Sequence, residues 1–176
     1  YNRRRKQIIA AQPNAAHQLI ADLEQNFEVT VITQNIDDLH ERAGSTSVLH
    51  LHGNIRYAKS SGPNQELNYY PIDGWKLTDK DVCEKGYPLR PHVVWFGEPV
   101  PMYENAMVSI QQAEILVIIG TSLNVYPAAG LIHYTMKAKR KVLIDPKGHD
   151  LMVPNDFEII NLGAEDGMNH FVSTLH

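Results

Sequence analysis

Three short apolar runs, rich in β-branched residues, each end on small or polar side chains. Val29-Thr30-Val31-Ile32 leads into Thr33-Gln34-Asn35-Ile36-Asp37, Ile115 to Ile119 into Gly120-Thr121-Ser122, and Val142-Leu143-Ile144 into Asp145. Near-continuous apolar runs suit strands covered on both faces, the condition of a parallel sheet. Phe157 to Ile160 supplies another strand. Helical spacing fills the intervals. Ala16, Leu19, Ile20 and Leu23 recur after the Pro13-Asn14 stop and cap, residues 101–112 form a second helix, a third follows Pro127, and the last runs from Asp166 to Leu175. Strands alternating with helices predict an α/β fold, a doubly wound parallel sheet. Such sheets hold ligands beyond the carboxyl ends of their strands, where the polar residues fall here.

At 176 residues the chain can bury one domain core with a small insert. Its 43% hydrophobic and 20% charged residues are those of an ordinary globular protein, and the net charge of -4 argues against nucleic acid or an anionic membrane as main partner. There is no run of eighteen apolar residues and no signal peptide at the start. The single cysteine, Cys83, excludes an intramolecular disulfide and fits a reducing cytoplasm. Tyr1-Asn2-Arg3-Arg4-Arg5-Lys6 opens as if mid-helix, without an initiator methionine, and the first glycine is Gly44. The chain reads as a fragment lacking its amino-terminal part.

Residues 1–12 read as a basic helix end with Ile8 and Ile9 inward, and residues 38–44 as a short helix ended by Gly44. A second short strand runs from Val48 to Leu51, and Val93 to Phe96 forms another. Between Arg56 and Arg90 periodicity dissolves around the turn cluster Ser60-Ser61-Gly62-Pro63-Asn64. This divides the chain into a main domain, 1–55 with 91–176, and an inserted module, 56–90.

Taken singly, the polar features have plain explanations. Gln, Asn and Asp are turn formers, Gly-Thr-Ser makes a good strand-to-helix turn, and a lone histidine is more often structural than catalytic. Together they point further. His52-Gly53 arrives from the Val48–Leu51 strand, fifteen residues after Asp37, where its imidazole could meet Gln34, Asn35 and Asp37 as a base. Gly120 permits close backbone approach, and the Thr121 and Ser122 hydroxyls can bond phosphate or ribose oxygens. The combination favours a nucleotide site.

The motifs Thr33-Gln34-Asn35-Ile36-Asp37, Leu39-His40-Glu41-Arg42-Ala43-Gly44, His52-Gly53, His92-Val93-Val94-Trp95-Phe96-Gly97-Glu98 and Gly120-Thr121-Ser122-Leu123, with Val125-Tyr126-Pro127-Ala128-Ala129, resemble the sirtuin family. The resemblance runs in order through the chain except residues 56–90. It implies a Rossmann-like fold and NAD-dependent removal of acyl groups from protein lysine, yielding nicotinamide and O-acyl-ADP-ribose. On these positions it implies that Gln34, Asn35 and Asp37 hold the nicotinamide ribose and an ordered water. His52 would act as general base on a ribose hydroxyl, with Asn35 and Asp37 as its catalytic companions. Gly120, Thr121 and Ser122 would contact ADP-ribose, Asp145 the adenosine ribose, and Ala164 would pack near adenine; Pro146 and Lys147 depart from the family pattern. The acylated peptide would lie extended between Val94, Phe96, Gly97 and Glu98 on one side and Val125 and Tyr126 on the other, read mainly through its backbone. Trp95 and Phe96 would line the acyl-lysine tunnel or its support, although ordinary core packing is the plainer expectation for Trp95.

Two departures stand out. The family typically holds zinc with two Cys-x-x-Cys pairs in the inserted module, whereas residues 56–90 contain only Cys83. No zinc is expected, and packing of Tyr57, Tyr69, Tyr70, Trp75 and Tyr87 should hold the module. The family's Gly-Ala-Gly-x-Ser phosphate loop is also missing before Gly44, so these residues alone should bind NAD weakly. Finally, Tyr1 and Arg4 match the Tyr-x-x-Arg pair with which one sirtuin class reads an acyl carboxylate. Spacing of i, i+3 places both on one helix face, and a guanidinium with a phenol suits a carboxylate. The plainer reading of Arg3, Arg4, Arg5 and Lys6 is a solvated basic end. Succinyl and malonyl groups are therefore the expected preference. Protein mono-ADP-ribosyl transfer, which needs no carboxylate reader, and a catalytically impaired NAD or ADP-ribose binding module are the rivals.

Overall fold

A computed structural model of the chain describes residues 1–63 and 68–175; Asn64 of the predicted turn cluster lies outside them. Among the described residues there are eight strands and five α-helices. Strand β1 (Val31–Thr33) pairs in parallel with β2 (Val48–His50), Thr33 facing His50. Strands β6 (Ile115–Ile119), β7 (Arg140–Ile144) and β8 (Glu158–Ile160) form a second parallel sheet in that order. The predicted parallel α/β architecture is present, divided into two sheets rather than joined in one.

Helices cover these sheets. Helix α2 (Ala15–Asp22) and α5 (Ala164–Ser173) pack with Val142, Ile144 and Ile160, and Val117 and Ile119 of β6 point to the same side. Helix α4 (Tyr103–Gln112) packs with Ile32 and Leu49 from the first sheet, with Leu51 just past β2, and with Leu116 from the second. Leu116 and Val117 thus lie on opposite faces, as alternation along a strand requires. Asn14 caps α2 as expected, accepting from His17 N at 3.1 Å, while His17 Nδ1 accepts from Asn14 N at 3.3 Å. Helix α3 (Leu39–Ala43) ends on Gly44, whose φ of +111° only glycine adopts readily.

Several expectations need correction. In α1 (Asn2–Ala10) Ile9 is exposed and Ile8 only half-buried; the inward residue is Arg5, with 0% exposure. Its Nε donates to Ile55 O at 2.7 Å, and its Nη1 to Trp75 O at 2.9 Å and Asn2 Oδ1 at 2.8 Å. A buried guanidinium is tolerable because these acceptors replace water, although Nη2 has no partner among the described residues. Residues 93–96 form no strand; they turn, with Glu98 N bonded to Trp95 O. Strand β6 is half-buried, with Ile115 exposed, and among the described residues it pairs on one side only. After Pro127 the chain forms a 3-10 helix, Ala128–Tyr134, with Gly130 inside it, a residue that disfavours the α form.

The segment without periodicity contains an antiparallel sheet, with β3 (Tyr57–Ser60) between β4 (Tyr69–Pro71) and β5 (Leu89–Pro91). Its buried residues are Ala58, Lys59, Ser60, Ile72 and Cys83, while Tyr57, Tyr69 and Tyr87 stay exposed, contrary to the tyrosine core expected. Cys83 Sγ accepts from Ser60 Oγ at 3.3 Å. Among the described residues no three His, Cys, Asp or Glu side chains gather as a metal site would need, and no helix is long and apolar enough to cross a membrane.

Candidate active site

The two parallel sheets meet at their carboxyl ends through side chains. Gln34 Nε2, just past β1, donates to Thr121 Oγ1, just past β6, at 3.3 Å. Thr121 Oγ1 also accepts from Leu123 N at 3.2 Å, shaping the turn around Gly120. Gly120 has φ of +58°, is exposed, and has open space where a Cβ would stand. Its backbone is therefore available to a ligand at that strand end, next to the exposed Ser122.

His52 completes this edge. Its Nδ1 lies 3.0 Å from the carbonyl oxygen of Gln34. A carbonyl only accepts, so the proton sits on Nδ1 and the Nε2 lone pair is left free, the tautomer a base requires. The His52 carbonyl accepts from Val94 N at 2.9 Å, tying this residue to the segment that follows β5. Asn35 is exposed, and its N donates to Thr33 Oγ1 at 3.0 Å. Asp37 Oδ1 accepts from Leu39 N at 3.1 Å, so this carboxylate also shapes the entry to α3.

Other predicted residues lie farther along the sheet. Asp145 Oδ1 accepts from Lys147 N at 2.8 Å in a tight turn after β7. Ala164 opens α5, half-buried against the β7–β8 core. Neither has a direct bond to the Gln34–Thr121 pair.

Beyond β5, Phe96 is fully exposed at 102% and Gly97 has φ of +87°, and Val125 and Tyr126 are exposed as well. Glu98 has an internal task. Its carboxylate accepts from Arg90 Nη2 and from Trp95 N at 3.0 Å, and Lys59 Nζ stands at 3.6 Å. Burial would raise its pKa, but these donors outweigh that and hold it low. Contrary to the expected core packing, Trp95 is exposed beneath the Arg90 guanidinium at 4.1 Å. Its Nε1 donates to the Tyr1 hydroxyl at 3.2 Å, which fixes the start of α1 against this segment. Arg4 is exposed, and its side chain makes no hydrogen bond or ion pair among the described residues.

Sequence reasoning assigned no role of their own to three residues here: Arg5, His50 and His92. The signal for His50 was its place two residues before His52, at the end of β2. His92 stacks on Tyr69 with ring centroids 3.9 Å apart, and its Nδ1 accepts from Asn54 N at 3.5 Å. Burial, then the charges of Lys59, His50 and Arg90, push its pKa down to about 4. The unfolded chain, with histidine near 6.5, therefore takes up this proton first on acidification. His92 contributes stability above pH ~6.5 that is lost progressively toward pH ~4, a loss on the order of 3 kcal/mol by linkage. Urea unfolding of wild type and His92→Phe across this range should show the variant losing less stability; parallel curves would remove His92 as the cause.

A model of the Sir2 family matches residues 1–127. An NAD-dependent protein deacylase of Bacteroides thetaiotaomicron is 45% identical over 178 residues, covering 99% of this chain and 76% of the relative. One from Aggregatibacter actinomycetemcomitans is 49% identical over 147 residues, 83% of this chain and 69% of the relative. Among solved structures, a Sir2 homolog–NAD complex superposes with TM-score 0.81 at 35% identity, covering 97% of this chain and 67% of that one. A Sir2–p53 peptide–NAD+ structure gives 0.73 at 29% identity, covering 94% of this chain and 71% of that one. The chain belongs to the Sir2 family, the sirtuins, and its curated relatives are NAD-dependent protein deacylases.

Proposed function

We propose that the protein removes acidic acyl groups, succinyl or malonyl, from lysine on other proteins, with NAD as co-substrate. The observation that carries this is the pinned tautomer of His52, whose Nδ1 is committed to the carbonyl of Gln34, the residue that links the β1 and β6 strand ends through Thr121. NAD, when bound, supplies a nicotinamide–ribose bond whose cleavage creates the acyl acceptor. The residues fit that group: Gly120 leaves space for backbone approach, with the Thr121 and Ser122 hydroxyls beside it. Gln34, Asn35 and Asp37 would hold the nicotinamide ribose, Asp145 and Ala164 the adenosine end. His52 Nε2 would take a proton from a ribose hydroxyl. Val94, Phe96, Gly97, Glu98, Val125 and Tyr126 would line the peptide's path, Glu98 through its backbone because its carboxylate is engaged. Tyr1 and Arg4 would meet the acyl carboxylate. A reducing cytoplasm suits the free Cys83 thiol.

Incubating the full-length gene product with NAD and acetyl-, malonyl- or succinyl-lysine peptide decides the matter. Nicotinamide and deacylated peptide should appear one for one, fastest with the acidic acyl groups. NAD consumed with ADP-ribose attached to protein would favour transfer instead. ADP-ribose binding without turnover would favour a binding module.

A further inference from the structure

His50 and His52 lie two apart, and each meets one of two consecutive backbone carbonyls. His52 Nδ1 is 3.0 Å from Gln34 O, and His50 Nδ1 is 3.3 Å from Asn35 O. The other His50 nitrogen, Nε2, stands 2.6 Å from Glu41 Oε1. Both partners of His50, a carbonyl and a carboxylate, can only accept. A neutral ring carries one N–H and one lone pair, so it would set that lone pair against an acceptor. The imidazolium alone donates to both. We propose that His50, kept doubly protonated by Glu41, is a positioning residue that clamps the Asn35 peptide and sets the alkaline limit of the reaction; this rests on the deacylase reading above.

The surroundings support two states of this clamp. Asn54 Oδ1 accepts from Arg56 N at 2.9 Å, which turns Asn54 Nδ2 toward His50 Nε2 at 3.4 Å. When the Nε2 proton leaves, Asn54 can donate to the lone pair and Glu41 is released. A cavity of about 260 Å³, lined by Glu41, His50, Asn54, Tyr69 and His92 among others, gives the proton a path to solvent. Charged and titratable groups face His50 from every side: Glu41 and His40 on α3, Asp37 from the preceding turn, and His92 beyond β5. Burial opposes the charge, but Glu41, the Asn35 carbonyl and Asp37 outweigh it, so the His50 pKa lies above the ordinary value. The charged donor fixes the peptide plane after Asn35, and with it the direction of the Asn35 side chain. Loss of the charge weakens that hold.

The replacements separate the two contacts. In His50→Asn the amide nitrogen stands near the former Nδ1 and can bond Asn35 O without titrating. In His50→Gln it reaches toward Glu41 instead. Wild-type deacylation should fall at alkaline pH, and Glu41→Gln should move that limb down by about 1 pH unit or more. His50→Asn should lack the limb and keep KM for NAD near wild type, whereas His50→Gln should raise this KM roughly tenfold. A direct readout uses the 176-residue chain: by NMR, the Ile36 amide nitrogen, one bond from the Asn35 carbonyl, should titrate with the His50 ring, at lower pH in Glu41→Gln. An Ile36 signal indifferent to His50, or identical kinetics for the Asn and Gln variants of an active enzyme, overturns the clamp alone. A wild type inactive on every acyl peptide overturns the deacylase reading and, with it, this role.

Discussion

His52→Ala is expected to lower deacylation turnover by about 100-fold or more, the usual cost of removing a general base, while leaving the fold intact. The reason for so large an effect is local. His52 Nδ1 is committed to the Gln34 carbonyl, so Nε2 stands as a lone-pair acceptor without waiting for a tautomer change. The reason for an intact fold is equally local. His52 is half-buried and makes one hydrogen bond to the backbone, a contribution of about 1 kcal/mol. Nicotinamide release under saturating NAD and peptide, beside a thermal melt of the same preparation, checks both halves. Near wild-type turnover would remove His52 from the role of base.

Arg4→Met should cut desuccinylation by roughly 30- to 5,000-fold, corresponding to ~2–5 kcal/mol for a charge-assisted partner lost from a desolvated carboxylate. Deacetylation presents a methyl group at the same depth and should change little. Arg5 supplies the structural reason to expect this division of labour. Its guanidinium is consumed by Ile55, Trp75 and Asn2, whereas Arg4, one residue earlier, is exposed and unpaired among the described residues. The Tyr1 hydroxyl already touches Trp95, so this helix end lies against the proposed peptide path. Steady-state kinetics on acetyl and succinyl versions of one peptide, with full-length protein, give the comparison. Equal losses for both would make Arg4 a support of the fold and end the acidic-acyl reading.

What the sequence disclosed depended on the range of the interactions that decide each feature. Strands β6 and β7 and the cap at Asn14 are set by neighbours in the chain, and the runs Ile115–Ile119 and Val142–Ile144 announced them. The polar strand ends were legible for the same reason. Arg5 was not, since its burial depends on carbonyls 50 and 70 residues away, and a basic run resembles a solvated helix end. Strand β3, Tyr57-Ala58-Lys59-Ser60, carries no alternation because Lys59 and Ser60 are both buried, Lys59 facing Glu98. Glu98 itself looked available to substrate until its partners Arg90 and Lys59 were placed around it. His50 needed Glu41 and Asn35 brought together by the β1–β2 pairing.

The division of the parallel strands into two sheets has a consequence for handling the protein. Among the described residues β6 has a backbone partner on one side only, so Ile115-Leu116-Val117-Ile118-Ile119 presents an uncharged, β-branched edge of the type that recruits strands from other molecules. Its gatekeepers sit at the ends. Glu114, paired with Lys139 at 2.7 Å, precedes the strand, and Gly120 follows it. Salt screens such an exposed pair readily. Concentrated, high-salt solutions are therefore where this chain is most prone to self-association, beginning at β6.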